Sequence, residues 1–449
     1  YFRKPASKSR VIRYDPDNFR LFVAGGKMNT GNMPGNSGSK TGRHLTMLPR
    51  IKTALIAGAA LAALSQVAFG ADVKVAVIGG VTGPIESLAG PIIAGGKYVF
   101  QQVNEQGGFW KDGTKADAVV LDATCADATK AADAGDRAVN VDKVVAINGA
   151  QCSGATIAVA NNAAIPGGVV MISPASTSPA LTTLKDKDLV FRTVTSDAFQ
   201  GQVLAHLIMS KGVKNVAVTY VNNDYGKGFA DSFDKAFKEL GGNVTASQAH
   251  EDGKADYRAE IGNLSATGAD ALVVLAYADG SGQTILRQAL EGGDFDKFFG
   301  GDGMVAASLI KNVPGIEGKI TFTKPSTPSG EGHKLYEEMM KKAGLNADGT
   351  FVANSYDASF IIAMAIEKAG SADRAKIAKA VREVTSGEGT LVLPGQWKKA
   401  KELIDAGKPV KYEGATGLIQ FDKNGDVPGV YHETVLADGG VKDLGPIKF

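Results

Sequence analysis

The sequence predicts an α/β fold of two doubly wound lobes that follow one another along the chain. Short apolar segments with strand character alternate with helical segments over residues 73–172. The alternation stops at 191–195 and begins again at 198. With 449 residues, the chain is also long enough for two domains with substantial cores. Strands and helices that alternate with short connections form a parallel sheet covered by helices on both faces.

The elements of the first lobe follow from the hydrophobic pattern. Strands are expected at 73–78, 118–122, 144–148 and 169–172, and helices at 84–103, 126–141 and 154–164. Pro84 suits the first turn of its helix, because its missing N–H group costs nothing there.

The second lobe repeats the pattern. Strands are expected at 215–220, 244–248, 271–276 and 298–300, and helices at 198–211, 226–240, 257–266 and 282–291. After an extended segment at 320–323 come two amphipathic segments at 331–343 and 354–369, with a further helix at 371–384 behind them. Residues 396–414 are expected to form a segment on the surface, here called the excursion, for which the sequence suggests no function. An extended segment at 417–437 is the last predicted element.

The front of the chain predicts export. Residues 47–70 combine a short basic start, the apolar stretch ALIAGAALAAL and small residues before Ala71, which is the pattern of a secretory signal peptide cleaved after Gly70. The apolar run is too short for a membrane anchor, which needs about 20 residues. Residues 1–46 are basic and unpatterned, and we expect a non-native or disordered segment there. The exported part is therefore expected in the periplasm.

Charge excludes a nucleic-acid partner for the exported part. Residues 1–70 hold 11 Lys+Arg and 2 Asp+Glu, so residues 71–449 hold 38 and 45, a net charge of −7. A net negative chain has no basic balance to attract nucleic acid.

The two cysteines, Cys125 and Cys152, both lie in the exported part. In an oxidising compartment an even pair favours a disulfide, although two buried free thiols are an alternative.

Three chemistries receive little support from the sequence. The first loop reads GGVTGP and lacks the glycine spacing of a dinucleotide fingerprint. The segment 422–426 has its glycine at the wrong position for a calcium loop. The five histidines show no paired metal-ligand spacing. We therefore expect no cofactor and no metal.

Two loops with hydroxyl groups point to a binding site. The segment NGAQCSGAT at 148–156 places Ser153 where a buried strand ends and a helix begins, and ISPASTSP at 172–179 follows the next strand. Free N–H groups at a helix start favour a carboxylate, and ligands of open α/β sheets bind at this edge of the strands. Ser153 lies in no G-x-S-x-G motif and has no histidine in either flanking loop, which argues against a hydrolase. A simple helix N-cap is the structural alternative.

Four motifs together resemble the branched-chain amino-acid-binding family, the type 1 periplasmic binding proteins of ABC importers. They are Cys152-Ser153, the ISPAST loop at 172–177, NDYG at 223–226 and TKPS at 323–326. The resemblance covers essentially all of 72–449 and implies two Rossmann-like lobes joined by three crossovers. Lobe 1 would combine 72–192 with 323–418, and lobe 2 would combine 195–320 with 422–449.

The resemblance also implies a ligand site. Ser153, the backbone of Ala175 and Thr177 would hold a carboxylate, and Asp302 beside Gly303 would hold an ammonium group. The remaining site residues would be Tyr225, Tyr277 and Leu88. Asp302 stands where the family often has Glu, and Leu88 lies where the family often has an aromatic residue.

The expected function is binding of an amino acid, branched-chain or otherwise aliphatic, without catalysis, and its delivery to an ABC importer permease by a monomeric protein. A small amide, a polar amino acid or an aromatic acid are alternative ligands. A sensory ligand-binding module of the same fold is an alternative role.

Overall fold

The computed structural model describes residues 72–448. The expectations for the upstream segment 1–46 and for the signal peptide 47–70 lie outside these residues. Among the described residues, no helix has the length and apolar character needed to cross a membrane.

The first lobe is built on a five-stranded parallel sheet. Its strands are β1 (Val73–Gly79), β2 (Ala116–Asp122), β3 (Ala146–Asn148), β4 (Val170–Ser173) and β5 (Val190–Arg192), in the order β2-β1-β3-β4-β5. Its helices up to this point are α1 (Glu86–Glu105), α2 (Ala128–Asp136), α3 (Ser153–Val159), α4 (Ile165–Gly167) and α5 (Pro179–Thr182). Both α2 and α3 continue directly into π-helical turns, at Arg137–Val141 and Ala160–Ala164. The predicted strands and long helices of this lobe are confirmed.

The second lobe is built on a seven-stranded mixed sheet. Its strands are β6 (Asn215–Val221), β7 (Asn243–His250), β8 (Ala271–Leu275), β9 (Phe298–Gly300), β10 (Ile320–Ser326), β14 (Val430–Ala437) and β15 (Gly440–Pro446), in the order β15-β14-β10-β9-β8-β6-β7. Its helices are α6 (Asp197–Ser210), α7 (Asp224–Glu239), α8 (Arg258–Ser265), α9 (Gln283–Gly292) and α10 (Ser308–Asn312). Strands β6 to β10 pair in parallel, whereas β14 pairs antiparallel with both β10 and β15.

The chain passes between the lobes three times, after β5, after β10 and after the short strand β13 (Gly417–Leu418). The second passage differs from the expected boundary. Lys324, Pro325 and Ser326 pair with β14 in the sheet of the second lobe, so position 323 falls inside a strand. Cross-strand pairing, which the sequence does not specify, holds these residues in the second sheet.

The segment between the second and third passages completes the first lobe. Its elements are α11 (Glu331–Lys342), α12 (Val352–Ala369), α13 (Arg374–Val384), β11 (Thr390–Val392), α14 (Trp397–Asp405) and β12 (Val410–Gly414), with β11, β12 and β13 forming a small separate sheet.

Helix α12 is buried on all sides rather than amphipathic, which corrects the expectation for 354–369. One side packs against α1, and the excursion at 396–414 covers another. Phe360 stacks on Tyr412 with ring centroids 4.8 Å apart and meets Trp397 edge-on at 6.4 Å. A helix enclosed by other elements needs apolar residues all round, so the excursion has a structural role in the first lobe.

Candidate functional site

Each of the two sheets has one point at which the strand order reverses direction. In the first sheet the strand order reverses direction between β1 and β3, and in the second between β6 and β8. The carboxyl ends of strands at such switch points form the ligand crevice of open α/β sheets. The loops after these strands carry the residues that the sequence singles out.

A small cavity lies between the lobes at these edges. The first lobe contributes Ile85, Leu88, Ile92, Gln151, Cys152, Ser153, Ala175 and Phe351, and the second contributes Tyr225, Tyr277, Asp302 and Gly303. The volume is about 20 Å³, roughly the space of one or two water molecules. An amino acid needs more room, so the lobes must separate to admit one, and the side chains that line the cavity must move apart to hold it.

Ser153 is buried at the first position of α3, directly after Cys152, whose backbone caps the helix. Its Oγ accepts a hydrogen bond from the backbone N–H of Ser178 at 3.1 Å. The loop before it passes close to β1: a Cβ atom on Gly149, which has φ of +139°, would lie 2.4 Å from the carbonyl oxygen of Ile78. Glycine at this position therefore lets the loop reach the cavity.

The loop after β4 is held from behind by a buried arginine. Arg192 donates from Nη1 to the carbonyl oxygens of Ser176 (3.3 Å) and Ser178 (2.9 Å). Its Nε forms an ion pair of 2.6 Å with Asp426, which lies just after the third passage between the lobes. The guanidinium group thus fixes the backbone that places Ala175 at the cavity.

A stacked tyrosine pair forms the wall of the second lobe. The rings of Tyr225 and Tyr277 lie 5.1 Å apart and nearly parallel. The hydroxyl of Tyr225 donates to Oδ1 of Asp302 at 2.9 Å and accepts from the backbone N–H of Gly303 at 3.3 Å. Burial raises the pKa of both tyrosine hydroxyls, so both rings are neutral donors near neutral pH.

Asp302 is a buried carboxyl group with one unsatisfied oxygen. It opens a 3₁₀ turn after β9, and Oδ2 forms no hydrogen bond of ordinary length and angle among the described residues, although the side chain of Gln200 lies near the carboxyl group. Burial raises the pKa of Asp302 to about 7. An unpaired buried carboxylate is costly, and a cation beside it removes that cost. The arrangement therefore suits a ligand that carries a positive charge.

A second buried carboxyl group, Asp197, lies behind this region at the start of α6. Both of its oxygens are buried, and the side chain of Thr177 lies beside them. Burial raises the pKa of Asp197 well above its ordinary value, and the nearby charge of Asp302 raises it further. The backbone of Thr177 contacts Asp197 directly: its carbonyl oxygen accepts a hydrogen bond of 2.7 Å from the backbone N–H of Asp197. The polar end of the site thus contains a second carboxyl group that the sequence analysis does not indicate.

The structure contains the predicted disulfide. Cys125 and Cys152 are joined with a Cα–Cα distance of 5.5 Å. The bond ties the loop after β2 to the start of α3, next to Ser153. It braces the part of the first lobe that faces the cavity.

Most of the predicted site residues meet in one place. Leu88, Ser153, Ala175, Tyr225, Tyr277, Asp302 and Gly303 line the cavity. Thr177 does not line it: its side chain is buried and lies beside Asp197.

Sequence reasoning missed several residues at or near the cavity, namely Ile85, Ile92, Gln151, Phe351, Asp197 and Arg192. Phe351 reaches the site from a segment between α11 and α12 that no motif marks, and it has a left-handed backbone with φ of +65°. Asp197 belongs to the segment SDAFQ at 196–200, where the alternation of helices and strands begins again, and this position at a helix start is its sequence signal.

Two doubly wound lobes, three passages between them and a cavity at their facing switch points define a type 1 periplasmic binding protein. Within residues 72–448 no cluster of side chains suited to a metal ion occurs.

Known proteins match this chain over most of its length. The family model of the receptor family ligand binding region matches residues 97–432. The leucine-, isoleucine-, valine-, threonine- and alanine-binding protein of Pseudomonas aeruginosa is 30% identical over 377 residues, or 83% of this chain and 92% of that protein. The Leu/Ile/Val-binding protein of Escherichia coli K12 is 28% identical, over 78% of this chain and 93% of that protein. A solved leucine-binding protein from Thermotoga maritima has a TM-score of 0.69 at 29% identity, covering 84% of this chain and 99% of that chain.

The chain therefore belongs to the family of proteins that share the receptor family ligand binding region and, within that family, to the Leu/Ile/Val-binding proteins. The family that the sequence motifs indicate is confirmed.

Proposed function

We propose that this protein is the solute-binding component of an ABC importer and that its ligand is an aliphatic amino acid, most simply a branched-chain one. The observation that carries the proposal is the chemistry of the residues that line the cavity. The first lobe contributes a hydroxyl group and apolar side chains, and the second contributes a carboxyl group and two tyrosine rings.

The first-lobe end suits a carboxylate. Ser153 offers a hydroxyl, and the first turn of α3 leaves backbone N–H groups without partners inside the helix. The positive end of the helix dipole adds to the attraction for an anion. We assign Ser153 and the backbone of Ala175 to the ligand carboxylate. Thr177 lies outside the cavity, and its backbone carbonyl oxygen accepts a hydrogen bond from the backbone N–H of Asp197.

The second-lobe end suits an ammonium group. Asp302 presents an oxygen that forms no hydrogen bond of ordinary length and angle, and Tyr225 holds the other oxygen in place. A charge-assisted hydrogen bond to an ammonium group would satisfy that oxygen.

The remaining wall suits a short aliphatic side chain. Ile85, Leu88, Ile92 and Phe351 contribute apolar surface from the first lobe, and the ring of Tyr277 closes the second side. No charged side chain besides Asp302 lines the cavity, within the described residues. The Pseudomonas aeruginosa relative is named for leucine, isoleucine, valine, threonine and alanine, which all have short, uncharged side chains.

Ligand binding would favour lobe closure. The carboxylate contacts belong to one lobe and the ammonium contact to the other, so a single amino acid engages both only when the lobes meet. A ligand shifts such an equilibrium by its differential affinity for the closed state. The closed shape is then available for recognition by an importer permease. A role in the periplasm after signal-peptide cleavage follows from the proposal.

Calorimetric titration with three matched ligands tests the proposal. The protein is unfolded and refolded to remove carried-over ligand. It is then titrated with leucine, with 4-methylpentanoate, which lacks the ammonium group, and with 3-methylbutylamine, which lacks the carboxylate. We expect micromolar or tighter binding of leucine and at least hundredfold weaker binding of both analogues.

Equal binding of leucine and 4-methylpentanoate would contradict the role of Asp302. Absence of leucine binding, together with binding of an amide or an aromatic acid, would contradict the amino-acid assignment.

A further inference from the structure

An aspartate outside the cavity joins the two lobes. Asp279 lies in the turn Ala278–Gly282 between β8 and α9 of the second lobe. Its Oδ2 accepts a hydrogen bond of 2.8 Å from the backbone N–H of Ser87, in the first turn of α1 in the first lobe. Its own backbone N–H donates to the carbonyl oxygen of Pro84 at 3.1 Å. Two hydrogen bonds thus fix the turn relative to the helix start across the lobe interface.

The carboxylate of Asp279 is also oriented from its own lobe. Ser308 donates from Oγ to Oδ1 at 3.1 Å, which leaves Oδ2 directed at α1. The N–H of Ser87 has no partner inside the helix, because the first N–H groups of any helix lack one. A carboxylate at this position satisfies the donor and opposes the positive end of the helix dipole.

The backbones of the two lobes approach closely beside this contact. A Cβ atom on Gly280 would lie 2.7 Å from Cβ of Pro84 and 2.6 Å from Oδ1 of Asp252. Real side chains do not tolerate such distances, so the turn meets the first lobe in this way only because residue 280 is glycine.

The contact lies next to two walls of the cavity. Leu88 follows Ser87 in α1, and Tyr277 precedes Asp279 by two residues. Both Leu88 and Tyr277 line the cavity, whereas Asp279 does not. Fixing Ser87 to Asp279 therefore fixes the apolar wall of the first lobe against the aromatic wall of the second.

We propose that Asp279 is a positioning residue that strengthens amino-acid binding without touching the ligand, by holding the first turn of α1 against the second lobe in the closed form. These contacts exist only when the lobes meet. They stabilise the closed form whether or not a ligand is present, and they lower the free energy that the ligand must supply. The choice of leucine as probe rests on the proposed function.

The other end of the interface has its own contact, so removal of Asp279 leaves the lobes joined. Ser178 in the first lobe donates from Oγ to the carbonyl oxygen of Asp224 in the second at 2.8 Å. Loss of one contact should therefore change closure and ligand release rather than the fold.

The first test compares Asp279→Ala with Asp296→Ala, an exposed aspartate of the same lobe. Leucine affinity is measured by calorimetry and the dissociation rate by stopped-flow fluorescence. We expect about tenfold weaker binding for Asp279→Ala, mostly through faster dissociation, and unchanged values for Asp296→Ala. Asp279→Asn keeps an acceptor and loses the charge, so it should fall between them. Unchanged affinity and dissociation in Asp279→Ala would overturn the proposal.

A second test needs no ligand. Spin labels on Lys130→Cys in the first lobe and Lys235→Cys in the second report the distance between the lobes; both lysines are exposed. We expect Asp279→Ala to shift the ligand-free distribution toward the longer, open distance. If the unmodified protein binds no leucine, the proposed function fails, and this measurement still decides the role of Asp279. The positioning role of Asp279 would be overturned by a distance distribution that is the same in Asp279→Ala and in the unmodified protein. A distribution without the short distance of the closed form under all conditions would also overturn it.

Discussion

The hydroxyl of Tyr225 donates a hydrogen bond of 2.9 Å to Oδ1 of Asp302, while Oδ2 of the same carboxyl group forms no hydrogen bond of ordinary length and angle among the described residues. The tyrosine orients the carboxyl group but provides a hydrogen bond to one of its two oxygens. Burial raises the pKa of Asp302 to about 7, and a cation beside the carboxyl group stabilises its ionised form. The pair is therefore suited to recognise an ammonium group, and its titration should be visible in binding.

Leucine affinity should fall as the pH is lowered below about 7. In the free protein the carboxyl group of Asp302 takes up a proton near pH 7, whereas a bound ammonium group requires the ionised form. Binding at pH 6 must then release a proton, and the affinity should fall by up to tenfold per pH unit. Calorimetry at pH 6 and pH 8, in buffers of different ionisation enthalpy, measures both quantities. Equal affinity at the two pH values, without proton release, would contradict the assignment.

Asp302→Asn should stabilise the ligand-free protein while weakening leucine binding. The folded pKa of about 7 lies above the ordinary value of 3.8, so the folded form binds the proton more tightly than the unfolded form. Stability from this group is present below about pH 4 and is lost as the pH rises toward 7. Urea unfolding should show a gain for Asp302→Asn at pH 8 that shrinks at pH 4. A loss of stability at pH 8 would indicate that Asp302 has a stabilising partner.

Ser153→Ala should weaken leucine binding by about 1–3 kcal/mol, the range for a hydrogen bond to a charged group. The substitution also removes the acceptor for the N–H of Ser178, so thermal unfolding must be measured in parallel. Ser210→Ala, on the surface side of α6 with a hydrogen bond to Leu207 in its own helix, provides the control. Unchanged leucine affinity in Ser153→Ala would remove the serine from the carboxylate site.

Arg192→Met should cost about 3–5 kcal/mol of stability, because it leaves a partly buried carboxylate and two carbonyl oxygens without their donor. The side chain of Arg192 is 2% exposed and pairs with Asp426. Arg137→Met is the matched control: that side chain is 63% exposed beside Asp142, and such surface pairs contribute about 0–1 kcal/mol. Urea unfolding of both variants measures the difference. Similar losses in the two proteins would show that the buried network is not important for stability.

Removal of the disulfide by Cys125→Ala and Cys152→Ala should destabilise the protein by about 3 kcal/mol, since the bond closes a loop between residues 27 apart in sequence. Leucine affinity should also fall, because the bond braces the turn that carries Ser153. Urea unfolding and calorimetry of the double variant measure the two effects. A loss of stability with full affinity would restrict the disulfide to a structural role.

Much of the fold and of the candidate site follows from local patterns. Strands such as β1 and β6 are apolar runs bounded by glycine or asparagine, and helices such as α7 have one apolar face. Parallel strands bring their carboxyl ends to one edge, so the loops with Ser153 and Ala175 are expected to meet. The same rule in the second lobe places Tyr225, Tyr277 and Asp302 together.

Other features depend on contacts that no local pattern reveals. Helix α12 has polar residues such as Asn354 and Asp357, and the sequence therefore suggests an amphipathic helix. The structure buries it: Asp357 accepts from Tyr412 (2.8 Å) and from the backbone of Ala415 and Thr416. A polar residue can lie in a core when another segment supplies its hydrogen bonds, and these partners are more than 50 residues away in sequence.

The sequence by itself determined the fold class, the two lobes and the identity of the loops at the cavity, because periodicity and turn residues act over short distances along the chain. Four short motifs indicated the family by resemblance, and the even number of cysteines favoured the disulfide over free thiols. Only the tertiary structure decided which side chains meet across the lobes. It placed Phe351 in the cavity, Thr177 behind it, Asp197 near Asp302 and Asp279 against Ser87. These relationships depend on the packing of one lobe on the other, which brings Ser87 and Asp279, 192 positions apart in sequence, within hydrogen-bond distance.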